Sequence, residues 1–284
     1  MSLTKKRLLF MGQLIAAAER DPRIVGLVDY GSSSEGRADV WSDVDVALFI
    51  RDAELAAFEA QWKLWASQFG TLLLAYVGGV GHPWAVYDAE PMPLRVDFAF
   101  HAESTIEQML SWPNAPTSIT SMVLLDTTSG RIGACAARLV GQSLHPPDLG
   151  RAFEMACGDF WYYLLRLDAK LRRGQLWAAR YEFNAIVIGN LLVLLRFEAG
   201  ATDRWRAAAA ATAIEQVLIA ERQIQLDACI PGADQKGLLE GIRQTARLGR
   251  IVCTAVAEQH GWLWPEALAG RIEALLNVSH ESIE

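Results

Sequence analysis

The sequence predicts an α+β protein in two parts: an N-terminal mixed sheet flanked by helices, and a C-terminal all-α helical bundle. Up to His145, short apolar runs bounded by glycine and proline alternate with helical periodicity, which is typical of helices packed on a sheet. After Pro147, apolar residues recur almost only at helical spacing. We therefore predict two domains, residues 1–147 and residues 148–284.

In the first domain, helical spacing of apolar residues covers residues 4–19 and 53–69. Between and after these helices lie apolar runs of strand length, separated by turn residues such as Gly31, Gly78 and Pro91. They are expected to form one mixed sheet of about five strands. The predicted strands are residues 24–30, 44–50, 71–77, 84–87 and 94–100, with a short further run at 122–125.

The second domain is predicted to be a bundle of five helices. Gly174, Gly200 and the Pro231-Gly232 pair separate its periodic segments, because glycine and proline readily end helices. The predicted helices are residues 148–173, 176–199, 207–228, 235–260 and 264–278.

Composition excludes several classes of protein. The chain has 284 residues, of which 52% are hydrophobic and 21% charged, so a substantial core is available and disorder is not expected. Its net charge is −7, whereas a general nucleic-acid binder needs a basic face to neutralise phosphates. We therefore expect no nucleic-acid partner.

The protein is expected to be cytoplasmic and to have no membrane partner. Charged residues follow the short apolar stretch near the N-terminus, unlike in a signal peptide. The longest apolar run of the second half, residues 185–195, is short and is interrupted by Gly189 and Asn190. The four cysteines form no C-x-x-C pair, which favours buried, reduced thiols over a disulfide framework or a zinc site.

Two aspartates, one residue apart, open the second predicted strand in the stretch SDVDVALFI. Because side chains alternate between the faces of a strand, Asp43 and Asp45 point to the same side. Two carboxylates that close repel each other unless a proton or a cation lies between them. Mg²⁺ binds one or two carboxylates together with waters and phosphates, so it suits this pair.

A third carboxylate, Asp97, stands in the apolar strand LRVDFAF. If this strand lies beside the one that carries Asp43 and Asp45, the three carboxylates converge. Three such groups can hold two cations for a displacement at phosphorus. Alternatively, Asp97 takes the proton from an attacking hydroxyl as a general base.

The turn after the first strand offers contacts for a phosphate. Gly31 lets the backbone approach a ligand closely, and Ser32 adds a hydroxyl donor. Ser42, directly before the aspartate pair, and Arg37 are further predicted nucleotide contacts. In the second domain, Lys170 of the cluster KLRR is a candidate clamp for a triphosphate, or else one cation of a solvated helix end.

Taken in order, these motifs resemble the signature of the nucleotidyltransferase superfamily that includes DNA polymerase β and the antibiotic-modifying nucleotidyltransferases. In chain order they are a strand, the pair Gly31-Ser32, the stretch Ser42-Asp43-Val44-Asp45 at the start of a second strand, and a later strand that carries Asp97. The chain most resembles the two-domain lincosamide nucleotidyltransferases. Its segment AKLRRGQLWAARY is also similar to the aminoglycoside 6-adenylyltransferases.

The resemblance implies transfer of AMP from ATP, or of another NMP from its NTP, to a drug hydroxyl with release of pyrophosphate. Asp43 and Asp45 would hold Mg²⁺, Asp97 would be base, metal ligand or both, and Gly31 and Ser32 would hold the triphosphate. The helical domain would complete the substrate cleft, and the family likeness suggests a homodimer. The nearly balanced charge of the helical domain favours a lincosamide acceptor.

Three alternatives remain open: an aminoglycoside adenylyltransferase, a nucleotidyltransferase that acts on a protein or RNA, and a non-catalytic nucleotide binder. The net negative charge weighs against RNA, and the long helical domain weighs against a minimal toxin module. Three intact carboxylates weigh against a decayed catalytic fold, because buried charges without a role cost stability.

Overall fold

The structure is a computed structural model, and it describes residues 3–79 and 81–277. The chain divides into two compact units between Ser143 and Leu144, a few residues before the predicted boundary at 147. The predicted second domain extends to residue 284, but residues 278–284 lie outside the described part of the chain.

The first unit contains a six-stranded mixed sheet, as the predicted α+β class requires. Its strands are β1 (Ile24–Asp29), β2 (Val44–Ile50), β3 (Leu72–Val77), β4 (Pro83–Tyr87), β5 (Leu94–Ala102) and β6 (Val123–Asp126). They lie in the order β3-β4-β5-β2-β1-β6. β2 and β5 are parallel, and the other neighbouring strands are antiparallel.

Helices cover the sheet on both faces. The α-helices of this unit are α1 (Leu3–Arg20), α2 (Leu55–Ala66), α3 (Ile119–Met122) and α4 (Arg131–Leu139), and a 3₁₀ helix spans Glu103–Ser111. α1 and α2 share one apolar core with the β2 residues Val46 and Leu48. The 3₁₀ helix and α4 share a second core with Ala47 and Phe49, on the opposite face. This alternation along β2 follows from the two-residue period of a strand.

The predicted strands are confirmed to within a few residues at each end. β2 has the predicted bounds, and β5 continues two residues further than predicted, to Ala102. The short run predicted at residues 122–125 is the sixth strand, β6, which pairs antiparallel with β1 at the edge of the sheet.

The second unit is helical. Its longer helices are α5 (Leu149–Arg172), α7 (Ile188–Glu198), α10 (Gln235–His260) and α11 (Glu266–Asn277), and its short helices are α6 (Leu176–Glu182), α8 (Ala207–Ala210) and α9 (Ala220–Asp227). One turn of π-helix, Phe183–Val187, joins α6 to α7. Asp148 and Asp234 cap α5 and α10, where each carboxylate accepts a backbone N–H of the first turn. Residue 278, the end of the predicted last helix, lies outside the described residues.

The prediction of a single helix over residues 207–228 is wrong. α8 and α9 are separated by residues 211–219, in which Ala213 takes a left-handed conformation, with φ of 53°, and one turn of 3₁₀ helix, Ile214–Gln216, follows it. The cause is Arg196, a buried residue of α7. Its guanidinium Nε donates to the Ala210 carbonyl at 2.7 Å, and its Nη2 donates to the Thr212 carbonyl. These carbonyls are thereby directed to Arg196 rather than along a helix, which an alanine-rich sequence alone does not reveal.

The helical stretch Leu176–Glu198 is, among the described residues, the one long and apolar enough by length and composition to cross a membrane. Its apolar residues, including Phe183, Leu191 and Leu195, belong to the core of the helical unit. The buried Arg196 lies within the same stretch and bonds backbone carbonyls of this unit. The stretch Leu176–Glu198 is therefore apolar because it is buried in the core of the helical unit.

The close contact of α10 with α5 gives a first testable prediction. A Cβ at Gly249 would lie 2.2 Å from Cε1 of the buried Phe160. We therefore expect Gly249→Ala to destabilise the helical unit by about 1–3 kcal/mol through overpacking, measured by urea denaturation.

Gly158, on the exposed side of α5, is the matched control, because a Cβ there meets nothing within 4 Å. Gly158→Ala should stabilise the protein by about 0.5–1 kcal/mol, since alanine is the better helix former. Equal effects of the two substitutions would contradict the close α5–α10 contact.

Candidate active site

Two of the predicted site carboxylates lie directly opposite each other on neighbouring strands. In the parallel β2–β5 pair, Asp45 is in register with Asp97. Both are half-buried and lie on the face that carries Ala47 and Ala99 further along the strands. Like charges directly opposite on a sheet are destabilising, so this arrangement has to be held by the rest of the fold.

The third carboxylate, Asp43, lies one residue before β2 and is paired with a cation. Nη2 of Arg95 is 2.9 Å from Asp43 Oδ2. Arg95 precedes Asp97 by two residues and therefore lies on the same face of β5. The face thus presents an acid–base pair next to an acid–acid pair.

The electrostatics of the acid–acid pair follow from its position. Burial, together with the charges of Asp43, Asp97 and Asp29, raises the pKa of Asp45 to about 7, against a smaller opposing effect of Arg95. Burial and the charge of Asp43 also raise the pKa of Asp97 above its ordinary value. The positive charge near these two carboxyl groups is therefore too small to offset their burial and the neighbouring negative charges.

The structure brings Asp45 and Asp97 together and pairs Asp43 with Arg95, and the role of the three carboxylates as metal ligands stays a prediction. Within residues 3–79 and 81–277, no three acidic, histidine or cysteine side chains are grouped closely enough to hold a metal ion. The carboxylate of Asp43 contacts Arg95 instead. The donor set still fits Mg²⁺ in its chemistry, because hard oxygen ligands with uncompensated negative charge are those it prefers.

The turn after β1 approaches the acid–acid pair closely. The Tyr30 N–H donates to the Asp45 carbonyl at 3.1 Å, which draws the turn onto β2. A Cβ at Gly31 would lie only 2.0 Å from Asp45 Oδ2. Gly31 is therefore needed for close approach, and it places the turn beside the Asp45 carboxylate.

Asp29, which the sequence analysis did not select, shapes this turn. Its Oδ1 accepts the N–H groups of Gly31, at 2.9 Å, and of Ser34, at 3.3 Å. The residue is buried, and this burial raises its pKa, although the two backbone donors oppose the shift. An aspartate two residues before a glycine is a recognisable signal of such a turn.

The far side of the turn is tied to the segment that precedes β6. The Ser34 carbonyl accepts the Thr117 N–H at 2.9 Å and the Ser121 hydroxyl at 2.8 Å. The Asn114 side-chain amide donates to the Tyr30 carbonyl. These bonds fix both ends of the turn from a segment more than 80 residues away in the chain.

The remaining predicted nucleotide contacts of the first unit lie on or near this turn. Ser32 is half-buried, and its carbonyl accepts the Arg37 N–H at 2.8 Å. The Arg37 guanidinium is half-exposed and contacts Glu35. The hydroxyl of Ser42 bonds within its own loop, to Oδ1 of Asp39 at 3.0 Å. Ser42 thus has a local structural partner, and Arg37 has a counter-ion.

Lys170 belongs to the second unit, on α5. Its Nζ lies 3.2 Å from Oε1 of Glu182 on α6, and Nη2 of Arg166 lies 2.9 Å from the same oxygen. Glu182 is buried, with its Oε2 unbonded. Lys170 is therefore one of two cations on a buried carboxylate, not an isolated cation at a solvated helix end.

The role of Asp29 leads to a second prediction. Asp29→Ala removes the acceptor of two backbone N–H groups, so the turn should lose its shape and the free energy of unfolding should fall by about 1–3 kcal/mol, the cost of unpaired backbone donors. Asp29→Asn keeps an acceptor oxygen and should cost no more than about 1 kcal/mol, the net value of one hydrogen bond. Urea denaturation of both variants tests this, and equal losses of stability would contradict it.

The arrangement can position a phosphate chain and accept a proton beside it. A fixed turn next to carboxylates on a mixed sheet suits transfer of a phosphoryl-type group, in which positioning and charge compensation do most of the work. The fold and this face together fit a nucleotidyltransferase.

The family follows from the sequence as a whole. The model of the streptomycin adenylyltransferase family matches residues 5–278, and the chain belongs to this family. No curated protein sequence matches the chain. The family is one of adenylyltransferases, which implies ATP as the co-substrate.

Two solved structures align with almost the whole chain. An aminoglycoside 6-adenyltransferase from Bacillus subtilis is 15% identical, with a TM-score of 0.44, over 96% of this chain and 98% of that chain. A nucleotidyltransferase-like protein from Exiguobacterium sibiricum 255-15 is 12% identical, with a TM-score of 0.34, over 96% of this chain and 87% of that chain.

The family match decides between two of the sequence-based predictions. The prediction of an antibiotic nucleotidyltransferase is confirmed at the level of the family. The prediction of a lincosamide acceptor has no support from it, and the aminoglycoside alternative does.

Proposed function

We propose that the protein transfers AMP from ATP to a hydroxyl group of an aminoglycoside of the streptomycin type, with Mg²⁺ bound and pyrophosphate released. The observation that supports this most is the opposed pair of Asp45 and Asp97 beside the Gly31 turn. The substrate class is supported by the family to which the chain belongs.

The proposal gives each carboxylate a role. Asp43 and Asp45 would hold Mg²⁺, which when bound offsets negative charge on the phosphates and on these carboxylates. Asp97 accepts the proton of the acceptor hydroxyl, whose oxygen bonds to the α-phosphorus while the bond from that phosphorus to the pyrophosphate oxygen breaks. A general base of this kind contributes about 10²–10⁴-fold to the rate.

The turn after β1 would hold the phosphate chain. Backbone N–H groups near Gly31 and the Ser32 hydroxyl are its donors, and Arg37 adds a charge once it leaves Glu35. Asp29 accepts the Gly31 N–H and Asn114 donates to the Tyr30 carbonyl, and these two bonds hold the turn in place. Such fixed positioning accounts for much of the catalysis in phosphoryl-type transfer.

An aminoglycoside acceptor also agrees with the charge of the chain. These antibiotics are polycations, and a net charge of −7 attracts them over the distance at which protein fields act. The match of charges supports the aminoglycoside over the neutral or singly charged alternatives but does not select the hydroxyl.

The experiment is incubation of the purified protein with Mg²⁺, ATP and a panel of aminoglycosides and lincosamides, followed by mass spectrometry of the drugs. We expect one adenylyl group to be added to streptomycin or a related aminoglycoside, with pyrophosphate released. Adenylylation of a lincosamide alone would show that the acceptor is a lincosamide and that the proposed aminoglycoside acceptor is wrong.

Two controls complete this test. Asp97→Asn should bind ATP but add no adenylyl group, because the base is lost while the turn is intact. If the wild type binds nucleotide but releases no pyrophosphate with any drug, the protein is a nucleotide binder and the proposed function is wrong.

A further inference from the structure

Arg95 occupies a position that the proposed reaction does not explain. Its side chain is 60% exposed, yet its guanidinium contacts Asp43, whose side chain is only 27% exposed. It shares the strand and the face of Asp97. A cation has therefore been placed among the carboxylates, within contact of one that is proposed to bind metal.

The surroundings distinguish this pair from an ordinary surface ion pair. Exposed ion pairs contribute only about 0–1 kcal/mol, since water and salt screen them. Here the charge of Arg95 also acts on Asp45 and Asp97, where it opposes their mutual repulsion. Arg95 thus compensates the whole cluster of carboxylates, not Asp43 alone.

One oxygen of this carboxylate cannot contact two cations equally well. Nη2 of Arg95 lies 2.9 Å from Asp43 Oδ2, and a metal ligated through that oxygen would require the contact to loosen.

We propose that Arg95 is an exchangeable counter-ion, which pairs with Asp43 in the metal-free protein, releases this carboxylate when a divalent cation binds, and then contacts the phosphates of the nucleotide. The inference rests on the proposed function. A guanidinium released on this face meets the anion that the Gly31 turn holds, and its planar fork of donors suits phosphate oxygens.

The proposal makes two predictions of opposite sign for Arg95→Gln. Without nucleotide, the variant should bind Mn²⁺ about three- to tenfold more tightly than the wild type, because the competing cation is gone. The size of this change is that expected for loss of an exposed ion pair. It should bind α,β-methylene-ATP with Mn²⁺ about 5- to 20-fold more weakly, because a charge-assisted bond to phosphate is lost. A purely structural role would not tighten one and weaken the other.

The experiment measures Mn²⁺ by electron paramagnetic resonance and the nucleotide analogue by calorimetry, both at pH 8. Arg95→Lys retains the charge and should keep the Mn²⁺ affinity of the wild type. Arg138→Gln, an exposed arginine on α4, is the matched control and should change neither affinity. In EDTA, Arg95→Gln should melt at a lower temperature than the wild type and should gain more from added Mg²⁺, which tests the exchange without any activity.

The outcomes are separable. If the wild type binds Mn²⁺ and Arg95→Gln binds it equally or more weakly, the exchange does not occur and the proposed function is unaffected. If the wild type binds no Mn²⁺ at millimolar concentration, the metal site of the proposed function fails and the inference fails with it. Unchanged affinity for the nucleotide analogue would overturn the contact with phosphate.

Discussion

Asp45→Asn is expected to abolish adenylyl transfer and at the same time to stabilise the metal-free protein. Asn has the shape of Asp but no charge, so the substitution removes the repulsion between Asp45 and Asp97 while leaving the packing against Gly31. The stabilisation at pH 8 should be on the order of 2–4 kcal/mol, since the pKa of Asp45 is raised to about 7 by burial and by neighbouring carboxylates, and each pK unit is worth about 1.4 kcal/mol.

The pH dependence has a definite sign. A carboxyl group whose pKa is higher in the folded than in the unfolded state binds more protons when folded, so its contribution to stability falls as pH rises. For Asp45 the fall runs from the ordinary value of 3.8 to about 7 and is complete above that. The advantage of Asp45→Asn over the wild type should therefore be small at pH 4, grow through this window and stay constant at pH 8.

Urea denaturation in EDTA at several pH values, followed by circular dichroism, measures this difference. Asp88→Asn is the matched control, because Asp88 is exposed directly after β4 and its substitution should leave the stability nearly unchanged. Added Mg²⁺ at pH 8 should stabilise the wild type more than Asp45→Asn. A variant less stable than the wild type in EDTA at pH 8 would show that the repulsion does not govern this site.

Gly31→Ala should reduce transfer by at least about 100-fold, the loss that a displacement of about 1 Å causes in a positioned active site. The added Cβ would lie 2.0 Å from Asp45 Oδ2 and 2.6 Å from Asp45 Cβ. The carboxylate can rotate away, but the Cβ of Asp45 cannot move without its backbone, so the turn and β2 have to move apart. The expected cost in stability is about 1–3 kcal/mol, as for overpacking elsewhere.

A double-mutant cycle tests this explanation directly. In an Asp45→Gly background, both the carboxylate and the Cβ that meet the new methyl group are absent, so the stability cost of Gly31→Ala should fall by about half or more, as for residues in direct contact. Gly12→Ala is the control, because a Cβ at Gly12 of α1 meets nothing within 4 Å. Additive effects at Gly31 and Asp45 would contradict the proposed contact.

Much of the fold could be predicted from the sequence, because it rests on periodicity. The strand around Asp97 and the helix that became α10 were correctly located by alternation and by helical spacing. The break between α8 and α9 was not predicted. It depends on the buried guanidinium of Arg196, which lies in another helix, and the local pattern of apolar residues does not reveal this contact.

The candidate site divides in the same way. Asp43, Asp45 and Asp97 could be selected from their positions on apolar strands, and Gly31 from its place in a turn. The pairing of Asp43 with Arg95 depends on strand register, which the sequence does not display. Arg95 still gave a signal, since it is two residues before Asp97 and so had to share its face.

The parallel register of β2 and β5 has a consequence for how the protein matures. Asp45 and Asp97 are about fifty residues apart, and the β3–β4 hairpin lies between their strands in the chain. A chain emerging from the ribosome therefore has no charge conflict and no catalytic pair until β5 has been inserted beside β2, a long-range step that is slow in folding. The proposed binding of metal should consequently appear only after β5 has paired with β2, which would make metal binding a reporter of that pairing.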